Sequence, residues 1–278
     1  MKKSFLFCLL LLNKIAVTAQ PYVDPVQVRY TYAFQSHNTS RGTPFTHLWV
    51  GSDLPVKIKN KTCLLFSPYY ENWLIDSASV HHMLPALQGI VLPVGIIFPF
   101  KDKKWSMVLT AIVRSNAEQL FENNTFQYGG AGFISYEKSA GKKIRLGAYM
   151  NTDFFGFFFI PLLGADWRMN KNNYFFGLLP GRFTWEHKLN QNWYTGITFR
   201  AITSSYRLQS GRYVRIDDNQ LSAFVDAYPA KRICLTLEPG YGIMRKLRMG
   251  TEKRTYYSND DWGDGWFIKL SASYRIRL

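Results

Sequence analysis

The carboxyl-terminal segment constrains the fold most. Trp266, Ile268, Leu270, Ala272, Tyr274, Ile276 and Leu278 alternate with Phe267, Lys269, Ser271, Ser273, Arg275 and Arg277. A strand, whose successive side chains point to opposite faces, turns such a period of two into one apolar and one polar face. Soluble strands commonly run about five or six residues, whereas a tilted strand crossing a bilayer needs about nine to eleven. A run of 13 residues fits the crossing.

The pattern recurs upstream. Val26, Val28, Tyr30, Tyr32 and Phe34 form one apolar face; so do Trp105, Met107, Leu109, Ala111 and Val113. Ile144 to Met150, Trp193 to Ala201 and Leu221 to Ala227 repeat it. Short polar turns are expected at Lys59–Lys61, Lys101–Lys104, Lys138–Lys143, Asn170–Asn173, Asn190–Asn192 and Pro229–Lys231. Longer connections are expected at Ser36–Pro44, Ile75–Met83, Ser115–Asn124, Tyr206–Asn219 and Arg248–Asp264, with tight ones at Asp153–Phe157 and Leu179–Gly181. Short and long connections alternate, as in a transmembrane barrel with short periplasmic turns and longer outer loops. The reading is all-β: an antiparallel transmembrane β-barrel of about fourteen strands. Twelve is the alternative: Leu179-Pro180-Gly181 either turns between two short strands or bends one longer strand, and a bend leaves an odd count unless another strand assignment also changes. An open β-sandwich also alternates, yet gives no reason to place Trp105, Trp193 and Tyr174 just after short turns and Trp167 and Trp185 just before them. An inner interfacial girdle does.

Composition agrees. Charged residues are 19% and aromatic residues 17% of the 278-residue chain, the reverse of a disordered composition. Beyond the first residues no apolar run reaches the roughly 18 residues of a membrane helix. Lys2 and Lys3, the apolar stretch Phe5–Leu12 and the small-residue site Val17-Thr18-Ala19 form the layout of a secretory signal peptide, with cleavage expected after Ala19. The domains are thus 1–19, signal, and 20–278, barrel. Cys8 lies inside the apolar stretch, which argues against lipidation. Removing the segment takes three lysines and leaves 31 basic residues against 19 acidic, a charge of +12. In an exported chain that excess points away from nucleic acid and toward outer-membrane lipid, lipopolysaccharide or a small anionic solute. The barrel-assembly machinery is an expected partner. Cys63 and Cys234 are too few for a disulfide framework and read as small apolar fillers.

Strand parity turns Arg29, Arg114, Arg145, Arg200, Lys269 and Arg275 toward the lumen together with Glu71, Glu186 and Asp226. Lys57, Lys143, Arg182, Arg232, Arg277, Glu137, Asp166 and Glu238 follow the same rule. Two readings stay open: a basic passage that concentrates anions, with Arg114, Arg145 and Arg200 as its mid-strand charges, or a lattice of inward ion pairs holding strands together. His37, His47, His81 and His82 match no zinc spacing. No cofactor, metal or catalytic residue is expected: Ser36-His37-Asn38 and Ser79 with His81 supply hydrolase chemistry in composition only. Tyr256–Asp264 is an aromatic and acidic run suited to contact sugar or a cation, or a solvated loop, and it lacks the distal Glu of an EF-hand loop.

Asp24-Pro25 before Val28-Arg29-Tyr30, Gly51-Ser52-Asp53-Leu54-Pro55, Ser67-Pro68-Tyr69-Tyr70-Glu71, Leu92-Pro93-Val94-Gly95, Glu238-Pro239-Gly240-Tyr241 and the terminal strand carry a resemblance over most of the mature chain. The chain resembles a functionally uncharacterised outer-membrane β-barrel family (a domain of unknown function) of Gram-negative bacteria. The resemblance implies an outer-membrane location and no assigned activity. Leu278 departs from the aromatic that ends many barrels. The functional expectation is a non-enzymatic passive pore or transporter for small polar or anionic solutes. A closed structural or surface-binding barrel without conductance is the alternative, and an outer-membrane hydrolase the weakest reading.

Overall fold

The computed structural model describes residues 21–35, 43–58, 62–76, 84–253, 255–260 and 263–278. The signal segment, His37, His81, His82, Ser36, Ser79, the Lys59–Lys61 turn and Asp261-Trp262 lie outside these residues. No described helix is long and apolar enough to cross a membrane. The strands, in chain order, are β1 (Tyr22–Ala33), β2 (Phe45–Gly51), β3 (Leu54–Lys57), β4 (Cys63–Phe66), β5 (Tyr69–Ile75), β6 (Leu87–Pro99), β7 (Trp105–Ala117), β8 (Phe126–Ser139) and β9 (Lys142–Asp153). They continue as β10 (Gly156–Arg168), β11 (Asn173–Leu179), β12 (Arg182–Lys188), β13 (Trp193–Arg207), β14 (Tyr213–Ala230), β15 (Ile233–Glu252), β16 (Thr255–Asp260) and β17 (Gly265–Arg277).

Three pairs of segments each make one stave. β2 and β3 break at Ser52-Asp53, β4 and β5 at Ser67-Pro68, while β16 and β17 both pair with β15, at its outer and inner parts respectively. The result is a closed antiparallel barrel of 14 strands, closed where β1 pairs with β17 from Tyr22–Arg277 to Ala33–Phe267. Leu179-Pro180-Gly181 turns between two short strands, β11 and β12, which settles fourteen over twelve. Closure is what a bilayer demands of a sheet, because a lipid-facing backbone group without a partner costs several kcal/mol.

The terminal strand's apolar face looks outward, with Trp266 66% and Leu270 54% exposed, while Lys269 and Arg275 are buried inside. Trp105, Trp167 and Trp193 are exposed beside the short turns of the inner end.

Two expected outer loops are strands instead. β13 and β14 continue to Arg207 and Tyr213, and β15 to Glu252. The reason is a change of sign in the pattern. Inside the bilayer the outward positions are apolar and the inward ones polar; beyond it, Val214, Ile216, Leu247 and Met249 turn inward, while Arg215, Asp217 and Arg248 form ion pairs on the other face. The inward set joins Ala33, Phe45, Trp73, Ile75, Leu87, Tyr206 and Phe267 in an apolar core that fills the outer end of the barrel. The outer tip of β13 also meets β7, Arg207 opposite Ala117, so the barrel narrows there.

Gly177, near the tip of the short hairpin, has φ +139°, and a Cβ there would strike the Arg182 carbonyl. Gly177→Val is expected to strain the hairpin by about 1–3 kcal/mol, lowering the temperature at which the folded, fast-migrating form is lost on gels. An unchanged transition would show that the hairpin does not depend on this backbone conformation.

Candidate functional site

A lumen lined by charge inside a bilayer must pair that charge, since an isolated buried ion is costly. Most of the inward charges do so. Arg275 donates from Nε to Asp24 at 2.7 Å and from Nη1 to Asp226 at 2.6 Å. Its guanidinium also lies 3.8 Å from the centre of the Tyr22 ring. Arg277 forks onto Glu186 at 2.8 and 3.0 Å. Lys269 donates to Glu238 at 2.8 Å and to Gln220 at 2.9 Å, Arg114 donates to Asp153 at 2.6 Å, and Arg145 pairs with Asp166. Glu71 accepts from Tyr206 at 2.9 Å and sits 3.1 Å from His47, whose ring stacks on Trp73. Arg114 and Arg145 are therefore engaged by carboxylates, as the reading of inward ion pairs holding strands together expects. Of the wider set, Lys57 is exposed, Lys143 pairs with Glu137 in a half-exposed bridge, and Arg232 occupies a turn with φ 67°.

Asp24, Asp153, Asp218 and Arg245 join this network although strand parity did not select them. Arg245 donates to Asp218 at 2.8 Å, both fully buried. Asp218 lies in a segment read as an outer loop, and Asp153 at a tight turn; an excess of inward cations over inward acids was the available signal that more carboxylates had to turn in.

Three cations are the exception. Arg29, Arg182 and Arg200 face a cavity of about 570 Å³ near mid-barrel, and among the described residues none has a carboxylate partner. Arg29 lies 3.8 Å over the Trp49 ring, its Nε buried without a hydrogen-bond partner. Arg182 donates to Tyr22 Oη at 3.0 Å and to Thr184 Oγ1 at 3.3 Å. Arg200 has neither hydrogen bond nor ion pair among the described residues, and its Nε is buried and unpartnered. Arg182 and Arg200 stand directly opposite one another across β12 and β13, an arrangement of like charges that destabilises a sheet. Glu238, the acid that acts on Arg200, is already engaged by Lys269 and Ser222. Phe158, Ile160, Leu162, Leu178 and Ile202 give the cavity an apolar stretch, while the already paired Glu71, Arg114, Arg145 and Lys269 line it elsewhere.

A second cavity of about 480 Å³ forms the inner mouth, lined by Lys143, Asp166, Tyr174, Glu186 and Arg277. The Arg145–Asp166 bridge stands between the two, Arg145 lining the first and Asp166 the second. Among the described residues no group of three His, Cys, Asp or Glu could hold a metal ion. Cys63 and Cys234 are free and buried.

Solved structures with this architecture exist. An outer membrane channel from Pseudomonas putida F1 aligns over 95% of this chain and 98% of its own at 5% identity with a TM-score of 0.51. The NanC porin aligns over 90% and 100% at 9% identity and TM-score 0.41, and the TodX monoaromatic hydrocarbon channel over 92% and 90% at 9% identity and TM-score 0.42. At such identities the likeness to the first shows a common fold. No family model matches the chain, and no curated relative does either. A closed 14-strand barrel with an apolar outer face belongs in the outer membrane of a Gram-negative bacterium.

Arg275→Met leaves Asp24 and Asp226 buried without their cation and is expected to destabilise the barrel by about 3–5 kcal/mol, read as a lower urea midpoint. Adding Asp24→Asn and Asp226→Asn should restore part of the loss. No recovery would mean that Arg275 acts through packing on Tyr22 alone.

Proposed function

We propose that this barrel is an outer-membrane channel that takes the anionic group of a solute into a chamber on Arg29, Arg182 and Arg200. The observation that carries this reading is the contrast within one lumen: among the described residues the other inward cations have carboxylate partners, and these three, gathered around one cavity of about 570 Å³, have none. A cation cluster held in a low-dielectric wall is a standing attraction for an anion, and arginine's planar fork suits a carboxylate or phosphate. The shared fold with a solved outer-membrane channel supports the same reading.

The apolar core at the outer end, with Trp73, Tyr206 and Phe267 at 1% exposure or less, favours a chamber closed to the outside over a steadily open pore. In planar bilayers the parent is expected to show few or no conductance steps. Trp73→Ala with Phe267→Ala is expected to open steps that prefer anions in a salt gradient, and adding Arg29→Gln, Arg182→Gln and Arg200→Gln should shift the reversal potential toward cations. An unchanged reversal potential in a folded, conducting barrel contradicts the role given to the three arginines.

A further inference from the structure

β11 and β12 have seven residues each, whereas their neighbours β10 and β13 have 13 and 15. The hairpin ends part-way up the wall. β11 joins β10 from Leu163 to Arg168 only, so Gly156–Leu162 pairs with β9 on one side and has no ladder partner on the other. On β13 the last bond to the hairpin runs from the Ala201 amide to the Gly181 carbonyl at 2.9 Å. The next closure above it is the Phe154 amide on Ser205 Oγ at 3.2 Å. Between these points Ile202, Thr203 and Ser204 pair with β14 alone.

The cavity lining agrees with an opening there. Arg200, Ala201, Ile202, Thr203 and Ser204 all line the chamber. Successive strand side chains point to opposite faces, so a run of five consecutive lining residues that includes Ile202, Thr203 and Ser204 fits a strand edge left open on one side. Ile160 lies seven residues above the exposed girdle residue Trp167, and Ile202 nine above Trp193. At about 3.3 Å per residue and a tilt of about 40° the gap sits roughly 18–23 Å above the inner girdle. The apolar band is about 25 Å tall, so the gap faces the outer leaflet. An open edge in hydrocarbon is tolerated only where it borders protein or a polar cavity; here the cavity is the arginine chamber, and Arg182 and Arg200 adjoin the lower rim formed by Gly181 and Ala201.

We propose that the chamber's ligand is a single-chain amphiphile with an anionic head, which enters sideways from the outer leaflet through the gap between β10 and β13. The head rests on Arg182, Arg200 and Arg29; the chain lies along Phe158, Ile160, Leu162 and Ile202. This rests on the anion-binding reading of the three arginines and adds the ligand class and the route. A small hydrophilic anion has no use for an apolar wall or for an opening into lipid, whereas an amphiphile matches both.

The test is fluorescence titration of the full chain with cis-parinarate, a single-chain carboxylate, in zwitterionic micelles and in nanodiscs. Saturable binding is expected, displaced by dodecanoate and not by dodecyltrimethylammonium or acetate. Arg182→Gln with Arg200→Gln should weaken it at least about tenfold, and Arg200→Lys, which keeps the charge and loses the fork, should weaken it less. Because Cys63 and Cys234 are buried, a bulky maleimide can be placed selectively on Ala201→Cys at the rim, or on Ile144→Cys on the intact wall as control. The first label should slow binding in nanodiscs, and the second should not. Displacement by acetate as effective as by dodecanoate overturns the amphiphile and leaves the arginine site standing. A rim label without effect overturns the sideways route. Binding indifferent to the Arg182 and Arg200 substitutions overturns the arginine reading itself.

Discussion

Backbone hydrogen bonding governs this molecule. In a bilayer each strand edge must find a partner, and the chain meets that demand by running its first strand back against its last, residues 251 apart being joined again through Arg275 and Asp24. Nearly all of the wall satisfies the rule. Among the described residues the longest departure is in the upper parts of β10 and β13, which the β11–β12 hairpin is too short to reach; the short β3 also pairs on one side alone. That the exposed edge coincides with the place where, among the described residues, inward cations lack acids gives the site its character, since each feature is costly alone and tolerable when a polar chamber serves both.

Paired charge fills the rest of the lumen. Arg114, Arg145, Lys269, Arg275 and Arg277 hold strands together through carboxylates that come from β1, β9, β10, β12, β14 and β15. Such pairs contribute specificity of register as much as net stability, because desolvation offsets much of their attraction. Farther out the interior becomes apolar and the exterior polar, as in a soluble barrel. The chain therefore carries two inside-out patterns on continuous strands, and the chamber lies near the boundary between them.

That boundary explains what was legible in the sequence. The transmembrane strands could be read because one apolar face recurs at period two; β17, β1 and β7 show it without interruption. Connection lengths pointed to about fourteen strands with twelve as the alternative, and left Leu179–Gly181 open between a turn and a bend. The outer parts of β14 and β15 were hidden, because Val214, Ile216, Leu247 and Met249 reverse the apolar face and bulges near Asp217 and Met244 disturb the register. Inward orientation of Arg29, Arg200 and Arg182 follows from alternation, but their lack of partners does not: pairing depends on which acids stand opposite across the lumen, and Asp153, Asp218 and Asp24 come from turns, bulges and strand ends where parity is silent. The gap in the wall was foreshadowed only by the length of the Tyr174–His187 hairpin.

The most direct measurement of the account is residue-resolved amide hydrogen exchange of the barrel in lipid nanodiscs. Alternate amides of Gly156–Leu162, and those of Ile202–Ser204 that point away from β14, should exchange quickly, while amides at the same height in the β8–β9 ladder stay protected. Uniform protection around the barrel would mean that β10 and β13 close on each other in the membrane, and would contradict a chamber open through the wall.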